Sequence, residues 1–303
     1  MFLDRLSLKN LRNIKEANLT LHNKTNVVIG ENAAGKTTLL EAVDILSRGR
    51  SFRTNKTENL VRHGASGLYV GGTTGPDKKK LEIEKSKNRT KISVGGKEEK
   101  KQSKLAQELA IQSIHPNSHS LIEGPPSERR AFLDWGLFHV EHEFRKEWSS
   151  YVKILRQRNE ALKSGRDDEK TWMEKLAVSG QAVSLLRERY VLGLEKSIIE
   201  TQKYLMPESE VIFYYEKGWG KEKSFMEALI EKRELDADRG YTSCGPQNAD
   251  VRIMLNNKEA QKICSRGQQK LIANIMLLSQ AKDFFEEKKY PSIILVDDLS
   301  AEL

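Results

Sequence analysis

Gly30-Glu31-Asn32-Ala33-Ala34-Gly35-Lys36-Thr37 is the stretch on which the reading of this chain turns. It fits G-x-x-x-x-G-K-[ST] at every fixed position. Asn26-Val27-Val28-Ile29, a short apolar run consistent with a buried strand, leads into it. Thr37 to Arg48 leads out of it, with Leu39, Leu40, Val43, Ile45 and Leu46 spaced as the apolar face of a helix. Glycine leaves no Cβ between backbone and an anion. The exposed amides and the positive end of the helix attract one. Lys36 is expected to reach the β/γ-phosphates of a nucleotide and the Thr37 hydroxyl to ligate Mg²⁺. The plain alternative, a chance glycine-rich turn before a helix, fits less well with strand and helix both expected in place.

Two further segments extend this reading. Ile293-Ile294-Leu295-Val296 reads as a second buried strand, and Asp297 follows it. A carboxylate at a strand end is placed to hold Mg²⁺, directly or through water. Asp298, the next residue, points away from Asp297 and is a candidate general base that polarises water. Ser265-Arg266-Gly267-Gln268-Gln269-Lys270 opens a helix and offers a hydroxyl, a close backbone approach and a helix dipole, a second anion site far in sequence from the first. An ordinary N-cap at Ser265 is the other reading; beside the two other elements the anion site is favoured.

Composition sets the frame. The chain has 303 residues, 38% apolar and 31% charged, the balance of a soluble globular protein with a core. That excludes collagen, a disulfide miniprotein and a wholly disordered chain. Lys and Arg number 51 against 43 Asp and Glu, a net charge of +8 that permits a nucleic-acid partner without establishing one. Cys244 and Cys264 make neither a disulfide framework nor a metal-ligand spacing. There is no leader-like start and no apolar run of the ~18 residues a membrane span needs, so a cytoplasmic address and no membrane partner are expected.

Along the chain, Leu3 to Leu8 and Ala17 to Leu21 read as strands around a turn at Asn10 to Asn13. Leu68 to Val94 reads as antiparallel hairpins with polar tips. Lys78-Lys79-Lys80 on one tip is either a solvated edge or a phosphate contact. Ser127 to Met206 predicts three or four helices broken near Lys163-Ser164-Gly165-Arg166. Gly240 to Asp250 reads as a loop, and Glu259 to Lys282 as helical beyond Gly267. Arg129-Arg130 reads as a pair held by nearby carboxylates, with a phosphate contact as the alternative. Arg50, Arg53 and Arg62 are better placed for DNA or nucleotide. Such contacts would fall mainly on phosphates and depend on salt.

The loop, the Ser265 segment and the Asp297 segment, in this order, resemble the Walker A, signature and Walker B of the ATP-binding-cassette ATPase head. Leu8-Lys9-Asn10-Leu11-Arg12-Asn13-Ile14 and the loop Gly30 to Thr38 look like the RecF/SMC/Rad50 group. Five further segments are similar to the RecF family: Gly49 to Thr54, Leu60 to Gly64, His115-Pro116 with Leu121 to Trp135, Cys244 to Asp250, and Ser265 to Lys270. SMC and Rad50 chains carry a long coiled coil between the first and last motifs. Here the helical stretch, interrupted at Gly165, fits a compact lobe.

The resemblance implies an α/β fold, an ABC-ATPase head with a mixed sheet around the P-loop and an inserted α-helical lobe. Head residues are expected at 1–115 and 211–303, and the lobe at 116–210. It implies ATP and Mg²⁺ as cofactors, bound through Gly30, Glu31, Asn32, Ala33, Ala34, Gly35, Lys36, Thr37 and Thr38, with Thr37 and Asp297 on the metal. Arg12 and Asn13 resemble residues near the nucleotide. Ser265, Arg266, Gly267 and Gln268 would act on the nucleotide of a second copy, giving an ATP-dependent homodimer. Gln112 falls where a Q-loop glutamine is expected. Asp298 stands where most cassette ATPases carry Glu, which fits weak, DNA-stimulated hydrolysis. The implied function is recombinational repair of gapped DNA, restart of stalled forks and the SOS response. The implied partners are duplex and single-strand/duplex junction DNA, with RecO and RecR, at the nucleoid. A cassette-type ATPase with a protein partner, as in a defence system, is the alternative. The resemblance also places further strand and helix after Ser300-Ala301-Glu302-Leu303, so Ile293 to Val296 is expected to be under-supported and ATP binding weak.

Overall fold

The computed structural model describes residues 1–54, 56–75, 77–166 and 168–298. Two compact units form. One comprises Met1–Pro116 and the segment from Lys288 onward; the other is Asn117–Glu287.

In the first unit, alternation of apolar and polar residues makes β1 (Phe2–Leu11), whose Leu3, Leu6, Leu8 and Leu11 are buried. β1 pairs antiparallel with β2 (Ile14–Thr20) on one side and β3 (Gly67–Gly75) on the other. β4 (Lys80–Ser86), β5 (Thr90–Val94) and β6 (Lys97–Glu99) continue an antiparallel sheet of order β2-β1-β3-β4-β5-β6. Helix α1 (Lys36–Arg48) lies on this sheet. Its Ala42, Val43, Ile45 and Leu46 share one core with the four β1 leucines and with Leu68, Val70, Leu81 and Ile83. Gly72 sits at the crossing, where a Cβ would come within 2.6 Å of Leu46 and 2.9 Å of the Arg5 carbonyl. α2 (Ser103–Glu108) leads to β7 (Ile111–Ile114), and Ser47 donates a 2.5 Å hydrogen bond to the Leu109 carbonyl between them.

The second unit begins with α3 (Ser120–Glu123), α4 (Pro126–Val140), α5 (His142–Ser164) and α6 (Glu169–Leu205). The break between α5 and α6 falls at Gly165, whose φ of 61° is the left-handed conformation that glycine adopts freely at a helix end. Next come β8 (Val211–Glu216), α7 (Phe225–Glu231), α8 (Arg233–Arg239), β9 (Asp250–Leu255), β10 (Lys258–Glu259), α9 (Ala260–Ile263) and α10 (Arg266–Lys288). The three strands form one antiparallel sheet of order β10-β9-β8.

Buried arginines tie this unit together. Arg158, fully buried, donates to Glu169, Asp236 and Thr242. Arg187 grips Asp134 with two 3.0 Å hydrogen bonds and lies over the Trp148 ring. Arg129 grips Asp250 at 2.7 and 2.9 Å, and Arg130 donates to the Ala249 carbonyl. Arg129 is therefore held by a carboxylate, as expected, whereas Arg130 is held by a backbone carbonyl instead. Residues 211–287, expected with the head, pack in this unit instead. The reason is burial: Val211, Phe213, Val251, Ile253 and Leu255 give the β8–β9 pair an apolar face, and α6 packs on β8 while α4 packs on β9.

The chain then returns to the first unit as β11 (Ile293–Val296), which pairs parallel with β7. Among the described residues β11 has no other partner, and its Ile294 is 43% exposed. A second departure concerns Asn26 to Ile29. This run forms no strand, and Val27 and Ile29 are 76% and 90% exposed. An apolar run becomes a buried strand only when another strand ladders with it, and none of the described strands does so. The expected turn is also shorter than Asn10 to Asn13, because β1 extends to Leu11 with Asn10 and Arg12 both at φ 54°. Ser300 to Leu303 lie outside the described residues. No helix of the described residues is long and apolar enough to cross a membrane.

Candidate functional site

The phosphate loop begins the first unit's helix in an unusual way. Gly35, at φ 103°, is the N-cap of α1 and offers no side-chain cap. The first turn holds Lys36, Thr37 and Thr38 and no acidic residue. A helix start normally gains a hydroxyl or carboxylate cap and avoids a lysine in its first turn. Here the free amides and the cation all favour an anion arriving from outside. The loop from Gly30 to Ala34 is exposed, so the approach is open.

Neighbouring side chains hold the loop in shape. Lys36 Nζ donates to the carbonyls of Gly30 (2.7 Å) and Glu31 (2.9 Å), curling the loop around itself. Asn13 Nδ2 donates to the Ala33 carbonyl at 2.9 Å, and Asn13 Oδ1 accepts from the Thr38 hydroxyl at 3.1 Å. Asn13 thus clamps the loop to α1 from the β1–β2 turn. A Cβ on Gly35 would meet Ile14 at 3.2 Å, so glycine serves packing as well as the left-handed backbone.

Thr37 Oγ1 donates to Asp297 Oδ1 at 2.9 Å. Asp297 is fixed from behind, because its N–H donates to the Ile114 carbonyl at the end of β7. Two hard oxygens therefore converge beside the loop. Mg²⁺ binds through one or two carboxylates together with phosphate oxygens and water and needs no protein cage. The donor set fits that ion, and the described residues hold no cluster of three or more His, Cys, Asp or Glu suited to a metal. Asp298 is exposed, at φ 60°, where the chain turns sharply after Asp297. Gln112 is buried and lies opposite Ile294 in the parallel ladder, about 10 Å of strand before Asp297. Its position lies inside the strand pair and short of the strand ends where Asp297 sits.

A feature the sequence did not reveal is Glu41. It is fully buried on α1 and receives Arg12 in two hydrogen bonds (3.1 and 2.7 Å), Ser51 at 2.5 Å and Arg53 at 3.7 Å. Arg12 is thereby committed to a carboxylate, while Arg53, half exposed, makes a looser ion pair with it. The available signal was an acid between Leu40 and Ala42, on the apolar side of the helix. Asp44, one turn on, is also buried; burial pushes its carboxyl above the usual range while Arg48 pulls it back. Arg62 lines an open cavity of about 500 Å³ with Lys56, His63 and Lys87, and among the described lining residues only Glu58 is acidic. The Arg62 N–H donates to Asn10 and the Arg12 N–H to Leu60, so this cavity's wall is laced to the turn that carries Asn13. Lys79, from the lysine run, donates to Glu108, so that residue has a carboxylate partner.

In the second unit, Ser265 and Gln268 cap α10 reciprocally. The Gln268 N–H donates to Ser265 Oγ (3.3 Å), and the Ser265 N–H donates to Gln268 Oε1 (3.0 Å). The N-cap reading of Ser265 therefore holds. Ser265, Arg266, Gly267 and Gln268 are nonetheless all exposed, and a Cβ on Gly267 would touch only Ser265 Oγ, at 4.0 Å. The terminus remains open to a close partner.

Residues 1–295 match the AAA ATPase domain family, so the chain is a P-loop ATPase domain in its class. The Smc head domain of Pyrococcus furiosus shares its fold, with a TM-score of 0.58 at 12% identity over 99% of this chain and 90% of that one. A narrower match comes from the DNA replication and repair protein RecF of Hydrogenovibrio crunogenus, 36% identical over 99% of this chain and 84% of the relative. RecF of Vibrio vulnificus is 35% identical over 100% and 86%. The solved structure of the recombination mediator protein RecF-ATP in the RecFOR pathway superposes with a TM-score of 0.92 at 27% identity, covering 100% of this chain and 86% of that one. The chain belongs to the RecF family, and its fold is the mixed α/β head with helical segments that this family shares with Smc heads.

Proposed function

We propose that this protein is an ATP-dependent DNA-binding clamp of recombinational repair. The observation that carries the reading is the bare, acid-free start of α1, with Lys36 beside it and Thr37 joined to Asp297. ATP binds with its phosphates against the amides of Gly30 to Thr38. Lys36 exchanges the carbonyls of Gly30 and Glu31 for β/γ-phosphate oxygens, which a cation prefers. Thr37 and Asp297 hold Mg²⁺, which when bound offsets charge on the phosphates. Asn13 acts indirectly, by keeping the loop closed against α1, and Arg12 supports the same turn through Glu41. Asp298 positions water for slow hydrolysis. Gln112 is given no part, since it lies within the strand pair.

The exposed start of α10, Ser265 to Gln268, closes on the nucleotide of a second copy, so ATP joins two protomers. The domain organisation we propose is a head built by the first unit's loop and strand ends, with the signature presented by the other unit. DNA phosphates contact Arg50 and the cavity of Arg62, Lys56 and Lys87, giving salt-dependent binding with little sequence preference. The solved RecF-ATP of the RecFOR pathway supports RecO and RecR as partners; action at gapped DNA and stalled forks in the cytoplasm is what the family resemblance implies.

The test is binding to gapped duplex DNA with and without ATP across a salt series, for the parent and for Lys36→Met. ATP should strengthen binding by the parent, the variant should bind no nucleotide, and affinity should fall steeply with salt. Salt-independent binding, or ATP enhancement that survives Lys36→Met, refutes the reading.

A further inference from the structure

Helix α6 exposes Val178, Leu185, Leu192 and Ile199, each between 41% and 76% accessible. They are the large apolar residues of α6 that face solvent apart from Tyr204, and each follows the last by seven positions. At 100° per residue, seven positions return to nearly the same face, so the four form a seam about 32 Å long. A strict seven-residue repeat drifts slowly on a straight helix and suits a left-handed pairing with a second helix.

The flanks of the seam differ in sign. Three positions after or four before each seam residue lie Glu174, Gln181, Glu188, Glu195 and Gln202 on one side. Three before or four after lie Lys175, Ala182, Arg189, Lys196 and Lys203 on the other. Glu174, Glu188, Glu195, Arg189, Lys196 and Lys203 are exposed and make no ion pair among the described residues. Lys175 only covers the Trp172 ring. The result is an apolar seam with an acidic rail on one side and a basic rail on the other.

This pattern selects its own occupant. If two such helices face each other in parallel about a two-fold axis along them, the acidic rail of each meets the basic rail of the other. Glu188 then lies level with the partner's Arg189, Glu195 with the partner's Lys196 and Glu174 with the partner's Lys175, each pair offset by one residue's rise of about 1.5 Å. An antiparallel two-fold pairing sets acid against acid and base against base. We propose that α6 is a self-association surface, on which α6 of a second copy of this chain packs in parallel and in register through Val178, Leu185, Leu192 and Ile199. Exposed ion pairs contribute little each, so the rails fix direction while the apolar seam provides the contact. The surface is independent of nucleotide and of the ATP-held pairing proposed above.

The test uses the full chain with Lys36→Met, so that ATP-driven association does not enter, and with Cys264→Ser. Leu185→Cys in this background should form disulfide-linked dimers on mild oxidation, because parallel pairing in register sets residue 185 beside itself. Antiparallel pairing about the middle of the seam sets residue 185 beside 192. Crosslinking only in a mixture of Leu185→Cys and Leu192→Cys chains therefore overturns the proposal. Sedimentation equilibrium gives a second reading. Glu188→Lys with Glu195→Lys should weaken self-association about tenfold or more, and adding Arg189→Glu with Lys196→Glu should restore it. Parent-like association of the first variant, or a parent that stays monomeric and uncrosslinked at every concentration, overturns the proposal.

Discussion

The Thr37 hydroxyl donates to Asp297 at 2.9 Å, across 260 positions of sequence. This contact joins the start of α1 to the end of β11 and sets two hard oxygens side by side. Asp297→Asn keeps the shape of the side chain and removes its charge. We expect the variant to bind ATP through the loop but to lose the gain that Mg²⁺ gives. Calorimetry of ATP binding with Mg²⁺ and with EDTA checks this. An undiminished Mg²⁺ effect in the variant dismisses Asp297 as a ligand.

Ser265 is an exposed cap, so its replacement acts on α10 and on any molecule docked there. Ser265→Arg should cost about 1 kcal/mol of stability through the lost cap. ATP binding should match the parent, while ATP-dependent pairing, read by light scattering, should disappear. A variant that still pairs on ATP shows that this terminus does not face the nucleotide.

Glu41 gathers Arg12, Ser51 and Arg53 in a fully buried position. Removing one member of such a cluster leaves charge without a partner away from water. Glu41→Ala should lower unfolding free energy by roughly 3 kcal/mol in urea titrations. Because Arg12 precedes the Asn13 clamp, ATP affinity should fall as well. A variant of parental stability would show that water replaces the carboxylate at little cost.

Asp283 on α10 predicts a pH effect. Burial, helped by the charges of Glu287 and Glu286, pushes its carboxyl up to about 6 from an ordinary 3.8. Between those values the folded chain keeps a proton that the unfolded chain has released, so stability falls as pH rises through this window and stays lowered above it. Asp283→Asn should therefore equal the parent near pH ~4 and exceed it at pH ~7 in denaturant unfolding. A variant less stable than the parent at neutral pH contradicts the assignment.

Much of the head was legible because its signals are local. The glycines and lysine of the loop, the hairpins between Leu68 and Val94 and, in the second unit, the Gly165 break each follow from neighbouring residues alone. The candidate site was legible as motifs but not as an assembly. Gln112 illustrates the limit: its place in the ladder depends on the register of β7 with β11, which spacing does not encode. Val27 to Ile29 illustrates another: hydrophobicity predicts burial, yet burial requires a pairing strand. Glu41 was missed because an acid on an apolar helix face has no meaning until its cations, from two other segments, arrive.

By itself the sequence determined that a phosphate-loop motif occupies residues 30–37, and that an apolar run ending in Asp297 and a helix opening at Ser265 accompany it. Those features rest on glycine conformation, helix dipoles and periodicity, all of which act within a few residues. Only the tertiary structure decided that Thr37 meets Asp297, that Arg12 and Arg53 are held by Glu41, and that residues 211–287 pack with the helices of the second unit. These outcomes depend on which distant surfaces exclude water together, and strand register and buried charge pairing settle that only once the chain has closed on itself.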